Sequence, residues 1–237
     1  MQQSQKFSMP FSGAEMPART LVEGAYRQVR GDIITGRLAP GEKLRVEHLK
    51  DQYGIGAGTL REALALLLSD ALVVSEGQRG FHVAPISLID IKDITDTRVL
   101  LETDALRQSI KAGDDEWEAG LIAAFHKLEK IEEKLGNRAN FLIREWEVRN
   151  SNFHEALIAG CDSRWLRYLI GLLYRQSERY RHLAISTDTI ARDVHAEHTL
   201  IFEATMERDI KRASRALEQH IRLTFDAIRL MLPDVKD

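Results

Sequence analysis

At 237 residues the chain exceeds the ~100–200 residues of a usual single domain. Its 44% apolar and 29% charged content is that of an ordinary folded protein and excludes wholesale disorder. The net charge of −3 gives no global argument for nucleic acid, so such a function has to rest on local placement. No run of about 18 uncharged apolar residues exists and no basic start leads into an apolar segment, so neither a membrane span nor a secretory signal is expected. The single cysteine, Cys161, can make no internal disulfide, which suits a cytoplasmic protein.

Residues 1–17, rich in Gln, Ser and Gly without helical period, read as a flexible arm. Thr20–Thr35 sets Leu21, Ala25, Val29 and Ile33 four apart, the stripe of an amphipathic helix that Gly36 ends. The turn residues Arg37–Gly41 follow, then a short helix over Val46–Tyr53 stopped by Gly54, a turn Gly54–Gly58, and a second short helix over Thr59–Leu68. Leu72–Val74 and Gly80–Ala84 are β-prone and are joined by Glu76-Gly77-Gln78-Arg79, a hairpin by its glycine. Helix, helix-turn-helix and hairpin make a winged helix, placed at 18–86. After Pro85 the period is helical throughout: Leu88–Ala112, Asp115–Leu135, Asn140–Ala159, Ser163–Ile185, Thr187–Met206 and Asp209–Leu232 predict an all-α bundle, placed at 87–233.

A helix-turn-helix needs a second helix that presents short polar or basic groups at its N-terminus to phosphates and base edges. Gly56-Ala57-Gly58-Thr59-Leu60-Arg61 supplies such an entry: Gly58 lets backbone N–H groups approach a phosphate, Thr59 caps the helix or contacts phosphate, and Arg61 reaches a phosphate or a guanine edge. Arg79 and Gly80 sit at the hairpin tip, where a wing residue enters the minor groove. The blocks Thr35–Leu44, Tyr53-Gly54-Ile55, Leu60–Leu64 and Arg79–Ala84 resemble the GntR-family winged helix in order and spacing. The resemblance implies DNA contacts from Arg45, Thr59, Arg61 and the wing around Gly77–Gly80. One departure is Gly56-Ala57-Gly58 where the family has Ser-Arg-Thr, which removes an arginine contact and points to a different operator, with a weakened DNA function as the competing reading.

In a helical bundle, sites form from inward polar side chains on separate helices. His154, His198 and His220 each stand in an apolar stripe on three different predicted helices. Three converging neutral imidazoles with a fourth oxygen or water suit Zn²⁺ or Ni²⁺, although any one of them read singly is an ordinary core histidine. Asn150-x-x-Phe153-His154-x-x-Leu157, Glu197-His198-x-x-Ile201-x-x-Ala204, Asp209-x-x-x-Ala213, the opening Arg98-x-x-Leu101-Glu102 and the Arg175, Arg179, Arg181 cluster resemble the FCD domain of FadR-type regulators. That resemblance implies a metal held by three His and an Asp, a position filled here by Asn150, whose amide is a weaker, uncharged ligand. The pocket is expected to take a small carboxylate, at an open position of the metal or, in the alternative of a metal-free pocket, directly on the His and Arg side chains, with Arg98, Glu102, Arg149 and Arg175 as effector residues, because the planar guanidinium fork suits a carboxylate. For the arginines, salt bridging to neighbouring Glu is the competing reading.

The expected function is a homodimeric, ligand-responsive transcription regulator on a two-fold operator, by family resemblance a repressor released by a small organic acid. A metal-dependent hydrolase built on the three histidines is the alternative from another class, against which no H-E-x-x-H, G-x-S-x-G or phosphate loop occurs. A pure metal sensor is the third reading.

Overall fold

The structure is a computed structural model, and it describes residues 18, 20–75, 77, 80–134, 140–186 and 192–231. The arm over 1–17 and the wing residue Arg79 lie outside the described residues. Helix α1 covers Leu21–Ile34, α2 Val46–Tyr53 and α3 Ala57–Ser69; three short strands, β1 Lys43–Leu44, β2 Val73–Ser75 and β3 Phe81–Val83, complete the N-terminal unit. Among the described residues six helices follow: α4 Leu88–Ala112, α5 Asp115–Glu132, α6 Asn140–Leu157, α7 Arg164–Ser186, α8 Val194–Met206 and α9 Ile210–Met231. The fold is a winged helix-turn-helix with a small antiparallel sheet, joined to an all-α bundle.

Local chemistry explains the boundaries. Thr20 caps α1, its hydroxyl accepting from Glu23 N at 3.1 Å, and Gly54 ends α2 with φ 63°, a left-handed conformation glycine takes without Cβ strain. Leu60, Leu64 and Leu67 of α3 are completely buried against Val29 and Ile33 of α1 and Leu49 of α2. The sheet order is β1-β3-β2, with Leu44 opposite Phe81 and Val73 opposite Val83. The two-residue β1 was not expected, since so short a strand carries no alternation to read.

Helix α3 begins two residues earlier than its sequence suggests. Gly56 is its N-cap, without a side-chain hydrogen bond, and Gly58 and Thr59 lie inside the first turn, so Thr59 does not cap the helix. The Gly-Ala-Gly tripeptide reads as a turn by propensity, but the packing of Leu60 and Ala63 draws it into the helix.

In the bundle, Leu106, Leu121, Leu128, Phe153, Leu157, Ile170, Ile201 and Leu217 form one apolar core, which brings α4 through α9 around a shared centre. Helix α7 also packs on α1 of the winged helix. There Arg30 pairs with Glu178, Arg175 Nη2 lies 3.6 Å from Asp70 Oδ1, and Arg179 Nη1 donates to the Ala84 carbonyl at 2.9 Å.

Candidate functional site

Two regions carry the sequence-derived site residues. In the winged helix, the first turn of α3 is open: Gly56, Gly58 and Arg61 are exposed, and a Cβ built on either glycine meets nothing within 4 Å. Arg45, the N-cap of α2, is exposed as well, and neither it nor Arg61 forms a salt bridge among the described residues. The unpaired N–H groups of a helix first turn, an uncluttered approach and two exposed guanidiniums make a surface suited to a polyanion. Gly80, with φ 88°, is the described end of the hairpin that should carry the wing.

The second region lies at the centre of the bundle. His154 of α6, His198 of α8 and His220 of α9 are all buried, and each offers a ring nitrogen within 4.8 Å of the others'. Their rings sit 5.8, 5.1 and 4.6 Å apart by centroid, pairing His154–His198, His154–His220 and His198–His220. Two are oriented by carboxylates behind them. His198 Nδ1 is 2.7 Å from Glu132 Oε1, and His220 Nδ1 is 2.9 Å from Glu197 Oε2, which Arg192 grips with its Nε at 2.6 Å from Oε1. An Nδ1–H donated to a carboxylate leaves Nε2 as the acceptor, and His198 Nε2 is buried without a partner among the described residues.

Asn150, one turn before His154, is buried too. Its Nδ2 donates to Tyr174 Oη at 2.7 Å, while its Oδ1 has no partner among the described residues. His154 Nδ1 makes no hydrogen bond among the described residues and faces Glu102 Oε2 at 3.7 Å. Glu102 also receives Arg98 Nε at 2.6 Å, and both side chains are buried. So His154, His198, His220, Asn150, Arg98 and Glu102 come together. Arg149 and Arg175 do not join them. Arg149 sits one residue, about 100° of helix, from Asn150 and pairs across the surface with Glu145 at 3.4 Å. Arg175 faces Asp70 of the winged helix.

Burial governs the electrostatics. It pulls the His154 imidazole down to about 4 against the upward pull of Glu102, and it holds His220 well below the ordinary histidine value, helped by His198 and Arg192. Burial pushes Glu102 up, but the Arg98 charge and His154 outweigh it and hold the carboxyl at about 2. Glu132 is similarly pushed up by burial and brought below its ordinary value by bonds from His198, Trp146 and His195. The centre therefore holds His154 and His220 as neutral bases, the form that binds cations, within a rim of ionised carboxylates.

Glu132, Glu197, Arg192, Tyr174 and Ser177 were not among the residues expected at a site. One signal for Glu132 is in the sequence: it follows Phe125 and Leu128 at helical spacing, which places a carboxylate on a buried stripe.

Comparison with known proteins follows the same division. Residues 21–83 match the bacterial regulatory proteins of the gntR family, and residues 93–223 match the FCD domain. The uncharacterized HTH-type transcriptional regulator BphR of Paraburkholderia xenovorans is 42% identical over 211 residues, covering 89% of this chain and 86% of that protein. The HTH-type transcriptional repressor GlaR of Escherichia coli is 36% identical over 200 residues, covering 83% and 90%. Among solved structures, E. coli McbR/YncC superposes with a TM-score of 0.70 over 90% of this chain and 98% of that one at 20% identity, a likeness of fold.

Proposed function

The chain belongs to the GntR family of bacterial regulatory proteins and carries an FCD domain behind its winged helix, and on that premise we propose that it is a repressor released from its operator by a small carboxylate bound at the histidine centre. DNA binding is the activity of the family; the effector, the metal and the dimer belong to the proposal. The reading divides the chain into a DNA-binding unit over 18–86 and a sensing unit over 87–233. The observation that carries it is the set of buried polar atoms without a hydrogen bond among the described residues, Asn150 Oδ1, His154 Nδ1 and His198 Nε2, gathered in one bundle centre. Such groups cost about 1–3 kcal/mol each when left unpaired, so a site that keeps several is built for a ligand.

A divalent cation fits this donor set. His154, His198 and His220 would hold it, with the Asn150 oxygen as a fourth, neutral donor, and Zn²⁺ or Ni²⁺ matches the nitrogen-rich chemistry. The bound ion would supply a positive centre for an effector carboxylate; Arg98 is the nearby guanidinium that would complete the charge match. Arg45, Gly58, Thr59, Arg61, Arg79 and Gly80 are the proposed DNA contacts. Support for a homodimer is the exposed apolar surface on the bundle, such as Trp165 and Leu169 one turn apart on α7, and a dimer would set two α3 helices on a two-fold operator. The hydrolase alternative is set aside because the family and its named relatives are regulators. A pure metal sensor differs in one outcome only: the ion alone would release DNA.

Fluorescence anisotropy with the chain's own upstream DNA against a scrambled duplex, with Zn²⁺ and a panel of small carboxylic acids, tests the proposal. Selective binding released by one acid is expected, with affinity falling steeply as salt rises. Equal affinity for both duplexes at moderate salt would remove the regulator reading.

A further inference from the structure

Helix α7 has two polar faces, and they look in different directions. Tyr174, Ser177 and Arg181, spaced three and four apart, face the histidine centre and α6; Arg175, Glu178 and Arg179 face the winged helix. On the inner face the Ser177 hydroxyl is fully used. It accepts an N–H from Arg98 at 3.1 Å and another from Arg181, and it donates to the Tyr174 carbonyl at 2.8 Å. The two guanidiniums lie 5.0 and 4.1 Å from the Tyr174 ring centroid. Each has its own carboxylate, Glu102 for Arg98 and Glu147 for Arg181. Glu147 in turn feels the negative charge of Glu178, which Arg30 of α1 holds from the winged-helix side.

We propose that this ladder of charged side chains, buried at its inner end, couples occupancy of the histidine centre to the seating of the winged helix, with Ser177 as the positioning residue that joins its two halves. The inference rests on the reading of the histidine centre as a ligand site. Any group entering beside His154 changes the load on Glu102, 3.7 Å away, and so on Arg98. Arg98 and Arg181 share one hydroxyl acceptor, so a bond that strengthens on one side weakens on the other. Buried charges tolerate no loss of their partners, which makes the change propagate rather than dissipate. Arg181 fixes Glu147, and Glu147 and Glu178 repel, so the grip of Glu178 on Arg30 follows. There is room for that movement: a cleft of about 560 Å³ separates α1 from α6 and α7, with Arg30, Glu147 and Glu178 in its walls. Coupling through a contiguous network is a testable physical claim, since both ends bias the same element.

The test perturbs one end and reads the other, using the full chain without ligand. Hydrogen exchange of the α1 amides is measured for Glu102→Gln in three backgrounds: the natural Ser177, Ser177→Ala and Ser177→Thr. Glu102→Gln is expected to speed α1 exchange by about fivefold or more with Ser177 or Thr, and by less than about twofold with Ala. A merely structural serine would give equal responses in all three. Equal responses, or no response of α1 to Glu102→Gln, would overturn the coupling. Should Glu102→Gln fail to melt cooperatively, Arg98→Lys, which keeps the charge and shortens the reach to Ser177, takes its place with the same expected pattern. DNA plays no part in the readout. A chain that responds in α1 yet binds no duplex selectively keeps the ladder and loses the regulator reading; selective DNA binding without the α1 response loses the ladder alone.

Discussion

A carboxamide at position 150 decides how much charge the histidine centre can offer a cation. Asn150 Oδ1 is neutral, so three imidazoles and an amide would leave both charges of a divalent ion for the effector to meet. Asn150→Asp is expected to raise Zn²⁺ affinity by about tenfold or more in calorimetric titration, and to destabilise the chelator-treated protein by burying a carboxylate without a counter-ion. The imidazoles also set an acid limit. His154 ionises near 4 in the fold against an ordinary 6.5, so between those values the unfolded chain holds more protons and stability falls as pH drops. His220 adds to the slope in the same sense, while Glu102, held at about 2, contributes stability that is full above its ordinary 4.5 and lost only as pH falls toward 2. With chelator present, the urea midpoint should fall more between pH 7 and pH 5 in the natural chain than in His154→Gln. The three histidines were legible because each is a polar residue in an apolar stripe. Glu102 and Arg98 were legible beside them through family resemblance, whereas guanidinium reach is too long for sequence to separate Arg98, which points inward, from Arg149, which points out.

Among the elements, α3 shows what local preference can and cannot reveal. Its periodic leucines announced a helix, but its start was hidden by Gly56-Ala57-Gly58, whose turn propensity is overridden by tertiary packing. The helix periods after Pro85 were clear for the same reason that β1 was not: a 25-residue helix repeats its pattern seven times, while Lys43-Leu44 repeats nothing. Gly58 now sits inside a helix with open space where a Cβ would go. Gly58→Ala should therefore stabilise the chain by about 0.5–1 kcal/mol in urea denaturation, through the entropy of the unfolded state. In the anisotropy assay the same methyl group should weaken operator binding, because it stands on the backbone that approaches phosphate. Greater stability with tighter DNA binding would show that the bare glycine has no part in contact.

At the scale of the whole molecule, the apolar core of the winged helix and those of the bundle are bridged by polar ties rather than merged. Arg30 with Glu178, Asp70 with Arg175, and Arg179 with the Ala84 carbonyl link residues from 95 to 148 positions apart for the first and last of these, separations no periodicity can report. Asp70 also accepts from Tyr26 Oη at 2.5 Å, so the C-terminus of α3 is anchored from both sides. These ties should make the chain melt as one unit: calorimetry is expected to give a single transition that splits in two when Asp70→Asn and Glu178→Gln are combined. A single transition in the double variant would place the cooperativity elsewhere. The docked helix α7 has a consequence for building chimaeras from this chain. A foreign DNA-reading head spliced on before Leu88 would join correctly at the peptide bond and still lack its seat on α7, unless it brings an arginine at the place of Arg30 and an acid at the place of Asp70. Modularity here is a matter of matching sockets as much as of cutting the chain at the right residue.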